Sequence, residues 1–482
     1  MPALELRLDR QARASLTEQI SAGLRAAIVD GRLSPGARLP SWRDLAAQLG
    51  VARGTVRAAY EALVDAQLAE AWGAAGTRVA RRAPPRPHGE VLPVAQARDP
   101  FDHHPRVSGV FQMGVPAQDA FPAKVWARML ARAARTAASA PPAYPDARGE
   151  PVLRTAIAAY LAVARGLACS PAQIYVTGGL AASMALAVRT LKLTGEAWTE
   201  EPGYPITRRL LVALGLAPVP VPVDPEGIDV AAGIAGAPQA ALAVVTPGQQ
   251  APLGVALSPA RRRALLDWAA HTGGWIVEDD YLSELQLQGR AAPALGAHDP
   301  AARVLHIGTF SKTISPALRL GFLVVPADQV ARFDAAVALL GAAPAPLLQH
   351  AVAEFLQGGH QLRHLRRMKR LYAQRRDALA ACLQAEALTH RAAGLALLLR
   401  LPPGLSDLDV AREARALGLA PVPLSLWYAK PGPEHMGLLL GVTNVREDQA
   451  AAHWASLQAL IGRMAATRGL CAATCSTTMP TR

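Results

Sequence analysis

The chain has 482 residues, 51% of them apolar, and 50 basic against 37 acidic side chains leave a formal charge of +13. That length exceeds one ordinary domain and supports large buried cores, so two or three domains are expected and a disordered chain is excluded. The positive balance suits a polyanionic partner, and no apolar run reaches the ~18 residues that a membrane span needs without meeting charge or proline. Glu5 and Asp9 argue against a secretory leader. The four cysteines (Cys169, Cys382, Cys471 and Cys475) lack the spacing of a disulfide framework or metal site, so a cytoplasmic protein without bound metal is expected.

The first eighty residues read as three short helices and a hairpin. Ser15 and Glu18 have capping-box spacing ahead of Ile20, Leu24, Ala27 and Ile28. Ser41 caps a second helix that carries Leu45, Ala46 and Leu49 and closes at Gly50. A third begins near Arg53, with Val56, Ala59, Tyr60, Leu63 and Val64 at helical spacing. Residues 68–72 and 77–80, joined through Gly73 and Gly76, complete a helix-turn-helix with a β-hairpin wing. Arg53 and Arg57 lie four apart on the face away from Val56 and Leu63, where arginine can pair with guanine edges or phosphates.

Residues 81–105 contain Arg81, Arg82 and six prolines with little periodicity, and are expected to be a semi-extended tether. From about residue 106 the pattern changes. Short β-rich runs at 240–246, 274–278, 304–308 and 322–325 alternate with helical stretches, which predicts an α/β domain with a mostly parallel sheet. Such sheets bind ligands at the carboxyl ends of their strands. Thr246, Asp279 and the pair Ser311-Lys312 fall at those ends.

Together these residues suit pyridoxal 5'-phosphate (PLP). That cofactor needs an amine, an anion for its pyridine nitrogen, a donor to its ring hydroxyl and a cradle for its phosphate. Lys312 offers the amine, Asp279 the anion and Tyr281 the ring donor. Ser311, Arg319 and the backbone amides after Gly178 and Gly179 suit the phosphate. Tyr204 could stack on the ring.

The segment 33–63 closely resembles the GntR-family winged helix. The whole order of motifs resembles the MocR subgroup of that family, in which a GntR head is joined to a fold-type-I aminotransferase-like domain. The likeness rests on Gly114-Val-Pro116, Tyr144-Pro-Asp146, Glu201-Pro-Gly-Tyr-Pro205, Thr246-Pro247, Glu278-Asp-Asp-Tyr281 and Gly308-Thr-Phe-Ser-Lys312 with Leu318-Arg-Leu-Gly-Phe322. The resemblance implies a winged helix over 1–80, a linker over 81–105, an aminotransferase-like domain over 106–465 and a disordered tail over 466–482. It implies DNA contacts at Arg43, Arg53, Thr55 and Arg57, with Gly76 and Thr77 on the wing. It also implies that Tyr144 reaches the phosphate of a partner subunit's cofactor, hence a homodimer, and that Asp279 rather than Asp280 is the pyridinium partner.

The chain departs from this family at several points. Gly178, Gly179, Leu180, Ala181 and Ala182 stand where the family has Ser-Gly-Ser-Gln-Gln, so side-chain donors to a phosphate are lost. Gly54 replaces a usual polar residue, and Ala396 a usual histidine; Thr246-Pro-Gly-Gln-Gln250 lacks the family's His in Thr-Pro-Ser-His-Gln, and the resemblance leaves Gln250 as a candidate partner for the ring oxygen. No arginine occurs between Arg415 and Arg446 to grip a substrate carboxylate, which leaves Arg208 as the candidate effector contact. The expected function is therefore a sequence-specific transcriptional regulator that senses PLP, free or condensed with an amine, with transaminase activity weak or absent. Two alternatives stay open: an active aminotransferase with a fused DNA module, and a DNA-binding dimer whose core no longer takes PLP.

Overall fold

A computed structural model describes residues 6, 8–12, 14–73, 76–81, 109–139, 143–287, 289, 291–340, 343–385 and 390–467. The expected tether at 81–105 and tail at 466–482 lie almost wholly outside the described residues. Contacts divide the chain into two compact units, Met1–His103 and His104–Arg482.

In the first unit, α1 (Leu16–Val29) starts at the reciprocal Ser15/Glu18 capping box. Helix α2 (Trp42–Leu49) starts at Ser41 and stops at Gly50, whose φ of +63° is the left-handed conformation glycine adopts without strain. Helix α3 (Arg53–Asp65) follows, and then β1 (Ala69–Ala71) and β2 (Thr77–Val79) pair antiparallel. Ile20, Leu24, Leu45, Val56, Leu63 and Val79 share one core. The Tyr60 hydroxyl donates to the Pro40 carbonyl at 2.9 Å, tying α3 to the turn before α2.

The second unit opens with α4 (Ala123–Ser139), α5 (Pro151–Arg165), β3 (Ile174–Thr177), α6 (Leu180–Leu191), β4 (Gly195–Glu201) and α7 (Pro205–Ala213). Next come β5 (Leu216–Asp224), β6 (Gly227–Ile228), α8 (Val230–Gly236), β7 (Leu242–Val245), α9 (Pro259–Thr272), β8 (Trp275–Asp280), β9 (Val304–Thr309) and β10 (Gly321–Val324). The strands form one eight-stranded sheet, ordered β3-β10-β9-β8-β7-β4-β5-β6. It is mostly parallel; β10 runs antiparallel to both neighbours, and β6 turns back on β5.

Helices cover both faces, so inner strands are apolar on each side. Val176, Phe322 and Val324 pack toward α4, α5 and a later helix, α11, while Tyr175, Leu323 and Ile307 pack toward α6 and α10. Those two helices are α10 (Val330–Leu340) and α11 (Pro346–Gln357). Three prolines fall within β5. Pro218, Pro220 and Pro222 occupy alternate positions near the sheet edge, where a missing backbone N–H is tolerated.

Helix α12 (His360–Ala385) leads to a second, four-stranded antiparallel sheet, ordered β11-β12-β14-β13. Its strands are β11 (His390–Ala393), β12 (Ala396–Arg400), β13 (Val422–Pro423) and β14 (Gly437–Gly441), with α13 (Asp407–Ala414) and α14 (Ala450–Thr467) packed on it. Helix α14 runs two residues past the domain end expected from sequence.

Leu63 is fully buried at the centre of the smaller core. Leu63→Ala is expected to destabilise that unit by about 2–5 kcal/mol. Calorimetry of the full chain should show a lowered transition for the winged helix, while the transition of the larger unit stays in place.

Candidate functional site

Strand β9 ends at Thr309, and the turn that follows carries Ser311 and Lys312. The Thr309 hydroxyl accepts from the Ser311 amide at 3.1 Å and shapes the turn. The Lys312 amine donates to the Gly114 carbonyl at 3.0 Å. Desolvation holds its pKa below the usual 10.5, with Asp279 pulling the other way and Arg319 assisting.

Neighbouring strand β8 is buried along its whole length and yet ends in three consecutive acids, Glu278, Asp279 and Asp280. The first and third have partners. Glu278 accepts from the Leu295 amide at 2.8 Å, the Gly296 amide at 3.3 Å and the His306 ring at 3.0 Å. Burial opposes a charge on His306, but the Glu278 and Asp280 carboxylates together outweigh it and the imidazole pKa rises. Asp280 meets the Arg165 guanidinium at 2.6 Å. Burial there works to raise the Asp280 pKa, and Arg165, His306 and Ser283 together more than reverse it. Asp279 accepts no hydrogen bond among the described residues. Desolvation, then Asp280 and Glu200, push its pKa up to about 7, against the pull of Lys312 and His306. Asp279 and Lys312 therefore face each other as an incompletely neutralised pair.

Other candidates gather around this pair. Tyr281 is raised well above the ordinary phenol value by burial and by Asp279, and the neighbouring Gln249 side chain acts in the opposite direction. Tyr204 lies within electrostatic range of both Asp279 and Arg319, and its ring tilts against Trp427 at 5.8 Å. Arg319 ends the turn Pro316–Leu318 with φ +47°, which brings its guanidinium toward Lys312. Gly178 and Gly179 lead into α6. At Gly179 (φ +106°) a Cβ would meet nothing within 4 Å, and the Gly179 amide donates to the Thr177 hydroxyl at 3.3 Å.

Two expected contacts are placed elsewhere. The Gln250 amide is engaged by Glu200, by the Pro202 carbonyl at 2.8 Å and by the Ala251 carbonyl at 2.7 Å, so it braces a loop and Gln249 meets Tyr281 instead. Arg208 donates to the carbonyls of Gly203, Leu426 and Trp427 and lies 3.6 Å from Glu201. Its donors hold two loops together and do not form a free carboxylate grip. Tyr144 projects from the chain fully exposed. Glu200, unread in the sequence, is a buried carboxylate raised to about 7 by desolvation, and it accepts from the Thr246 amide and hydroxyl at 2.9 and 2.6 Å.

In the smaller unit Arg43, Arg53 and Arg57 are all exposed, and Thr55 is half-buried. Arg43 lies over the Trp42 ring at 4.9 Å. Arg57 pairs with Glu61 at 2.9 Å on its own helix. Gly76 has φ +90° and a Cβ there would lie 3.3 Å from the Arg38 side chain, so Arg38 joins Thr77 at the wing. Sequence periodicity had no means of singling out Arg38.

A helix-turn-helix head on one unit and a lysine–aspartate site at the carboxyl edge of a parallel sheet on the other define a regulator-type protein with an enzyme-type core. Residues 16–79 match the bacterial regulatory proteins of the gntR family, and residues 111–417 match aminotransferase class I and II. The chain is 36% identical to a probable rhizopine catabolism regulatory protein, MocR, of Rhizobium meliloti, over 91% of this chain and 92% of that protein. It is 34% identical to the pyridoxine biosynthesis transcriptional regulator PdxR of Corynebacterium glutamicum, over 78% and 80%. Among solved structures it is similar to an archaeal alanine:glyoxylate aminotransferase, with a TM-score of 0.66 and 24% identity over 74% of this chain and 92% of that one. The chain belongs to the GntR family of bacterial regulators, in the MocR group that joins the winged helix to a class I and II aminotransferase domain.

The raised pKa of Asp279 has a consequence for stability. Between its ordinary 3.8 and about 7 the folded protein holds a proton that the unfolded chain releases, so stability falls as pH rises through that window. Asp279→Asn should match wild type near pH 4 and, without ligand, exceed it at pH 8 by on the order of 1–3 kcal/mol. Urea denaturation at the two pH values checks this; a variant less stable than wild type at pH 8 contradicts the assignment.

Proposed function

We propose that this protein is a DNA-binding transcriptional regulator whose aminotransferase-like core binds PLP as a signal. The observation that carries the reading is the buried Asp279 carboxylate, unbonded beside the desolvated Lys312 amine. A protonated pyridine nitrogen would supply the donor that Asp279 lacks, and a low-pKa amine is the form that attacks an aldehyde. PLP, when bound, supplies that aldehyde and an electron-withdrawing ring.

In this reading Lys312 forms the covalent attachment and Asp279 holds the ring nitrogen protonated. Tyr281, with Gln249 behind it, donates to the ring oxygen, and Tyr204 covers the ring. Arg319, Ser311 and the amides at Gly178 and Gly179 take the phosphate. Tyr144, fully exposed on its own chain, would complete the phosphate site of a second copy in a homodimer. Engagement of Arg208 by backbone carbonyls, with no arginine between Arg415 and Arg446, leaves no free carboxylate grip of this kind among the described residues. That supports sensing over turnover, with weak or absent transaminase activity expected. A small amine condensing with the bound aldehyde is the expected effector class.

The DNA half of the reading rests on α3, whose exposed Arg53 stands at the helix start, where a recognition helix meets base edges. The operator is expected to be duplex DNA.

Adding PLP to the purified protein should produce a visible absorbance band that Lys312→Ala abolishes; a band of equal strength in the variant refutes the role given to Lys312. Arg53→Ala should weaken operator binding about tenfold at fixed salt, the cost of one good arginine–base or arginine–phosphate contact. Gel-shift titrations with unchanged midpoints would count against α3 as the reading helix.

A further inference from the structure

Residues 109–117 form a strap, the part of the larger unit that first follows the undescribed segment 82–108 and so stands nearest in sequence to the winged helix. Its backbone is tied to the small sheet and its flank. The Val110 amide donates to the Gly418 carbonyl at 3.0 Å, and the Ala420 and Gly441 amides donate to the carbonyls of Val110 and Phe111 at 2.6 and 2.8 Å. The Thr443 hydroxyl donates to the Val115 carbonyl at 2.6 Å, and the Ala117 amide to the Tyr372 hydroxyl at 2.9 Å. Phe111 is fully buried with φ +70°, a left-handed backbone that a bulky residue keeps only where its surroundings impose it. At Gly114 the same strap meets the site, since the Gly114 carbonyl accepts from the Lys312 amine at 3.0 Å. Gly114 has φ +76°, and a Cβ there would lie only 3.0 Å from the lysine nitrogen.

We propose that the Lys312–Gly114 hydrogen bond reports the state of the lysine to the strap: the free amine fastens it, and the condensed nitrogen releases it. This rests on the reading of Lys312 as the residue that condenses with the PLP aldehyde. The atom count carries the argument. A free amine has at least two N–H hydrogens. Condensation forms a C=N bond, and the carbonyl oxygen departs as water with two of those hydrogens. The nitrogen keeps none, or one if protonated, and that one is fixed in the plane of the double bond instead of turning freely toward Gly114. The carbonyl then loses its donor inside a largely desolvated site, which weakens the attachment of a backbone already strained at Phe111. Because the strap continues in sequence toward the DNA-reading head, this bond gives the chain a covalently controlled contact on the route between its two activities.

Hydrogen–deuterium exchange on the full chain, with and without PLP, tests the idea. Loading should speed exchange at Val110, Ala420 and Gly441 by about fivefold or more, as expected for loss of one hydrogen bond's worth of local stability. Lys312→Met keeps the length of the side chain but has no donor, so its strap should exchange fast in both conditions. A bound molecule ordinarily slows exchange around itself, so acceleration confined to the strap separates this role from simple packing. Unchanged strap exchange in wild type while the Lys312-dependent absorbance band forms overturns the inference and leaves the cofactor reading standing. So does a Lys312→Met strap as slow as unloaded wild type. Absence of the band in the same samples removes the cofactor reading, and this inference with it.

Discussion

Three adjacent acids on one wholly buried strand set the terms for the rest of the site. Charge so far from water is tolerated only beside compensating charge or donors. Glu278 is met by two amides and a histidine, and Asp280 by an arginine delivered from α5. Breaking either arrangement would leave a buried ion without a counterpart, which ordinarily costs several kcal/mol. Asp279 alone is left with only electrostatic company from Lys312 and His306, and its carboxyl drifts toward neutrality. The fold thus carries its least compensated carboxylate where, in the proposed reading, a cationic ring nitrogen would sit. Discomfort of this sort is characteristic of functional sites, where binding competence is held at some expense of stability.

The same logic accounts for the departures in the phosphate region. Side chains that would donate there are replaced by Gly178, Gly179, Leu180, Ala181 and Ala182, which leaves backbone amides, Ser311 and Arg319. A cradle built mainly from backbone is insensitive to side-chain rotamers and is weaker for each donor removed. Arg208, meanwhile, closes one loop against another. In the proposed reading, Lys312, Asp279 and Tyr281 would serve attachment and ring contacts without a matching substrate grip, as suits a core that registers its ligand.

Much of the architecture was legible in the sequence because its signals were local. Ser15 with Glu18, Ser41 with Gly50, and β-branched runs ending in Thr, Asp or Lys each report their own few neighbours. What stayed hidden depends on distant pairs or on orientation. Arg165 and Asp280 lie 115 residues apart, and no periodicity joins them. Gln249 and Gln250 are chemically identical, and only the path of the loop decides which reaches Tyr281. Arg208 reads as an effector contact until the carbonyls of Leu426 and Trp427, more than 200 residues away, are brought against it. The small sheet escaped notice because Ala-Leu-Leu-Leu-Arg at 396–400 suits a helix as well as a strand, and partners from 437–441 decide the matter.

The prolines of β5 bear on how this protein behaves at high concentration. Along an extended strand, backbone N–H groups point alternately to the two sides. Over residues 216–222 one side pairs with β4, while the other meets β6 only at Val223 and Asp224. Proline at 218, 220 and 222 strips donors from a single side. That flank presents carbonyls without amides and cannot complete a ladder with a visiting strand, which guards a long, partly apolar border against stacking chain upon chain.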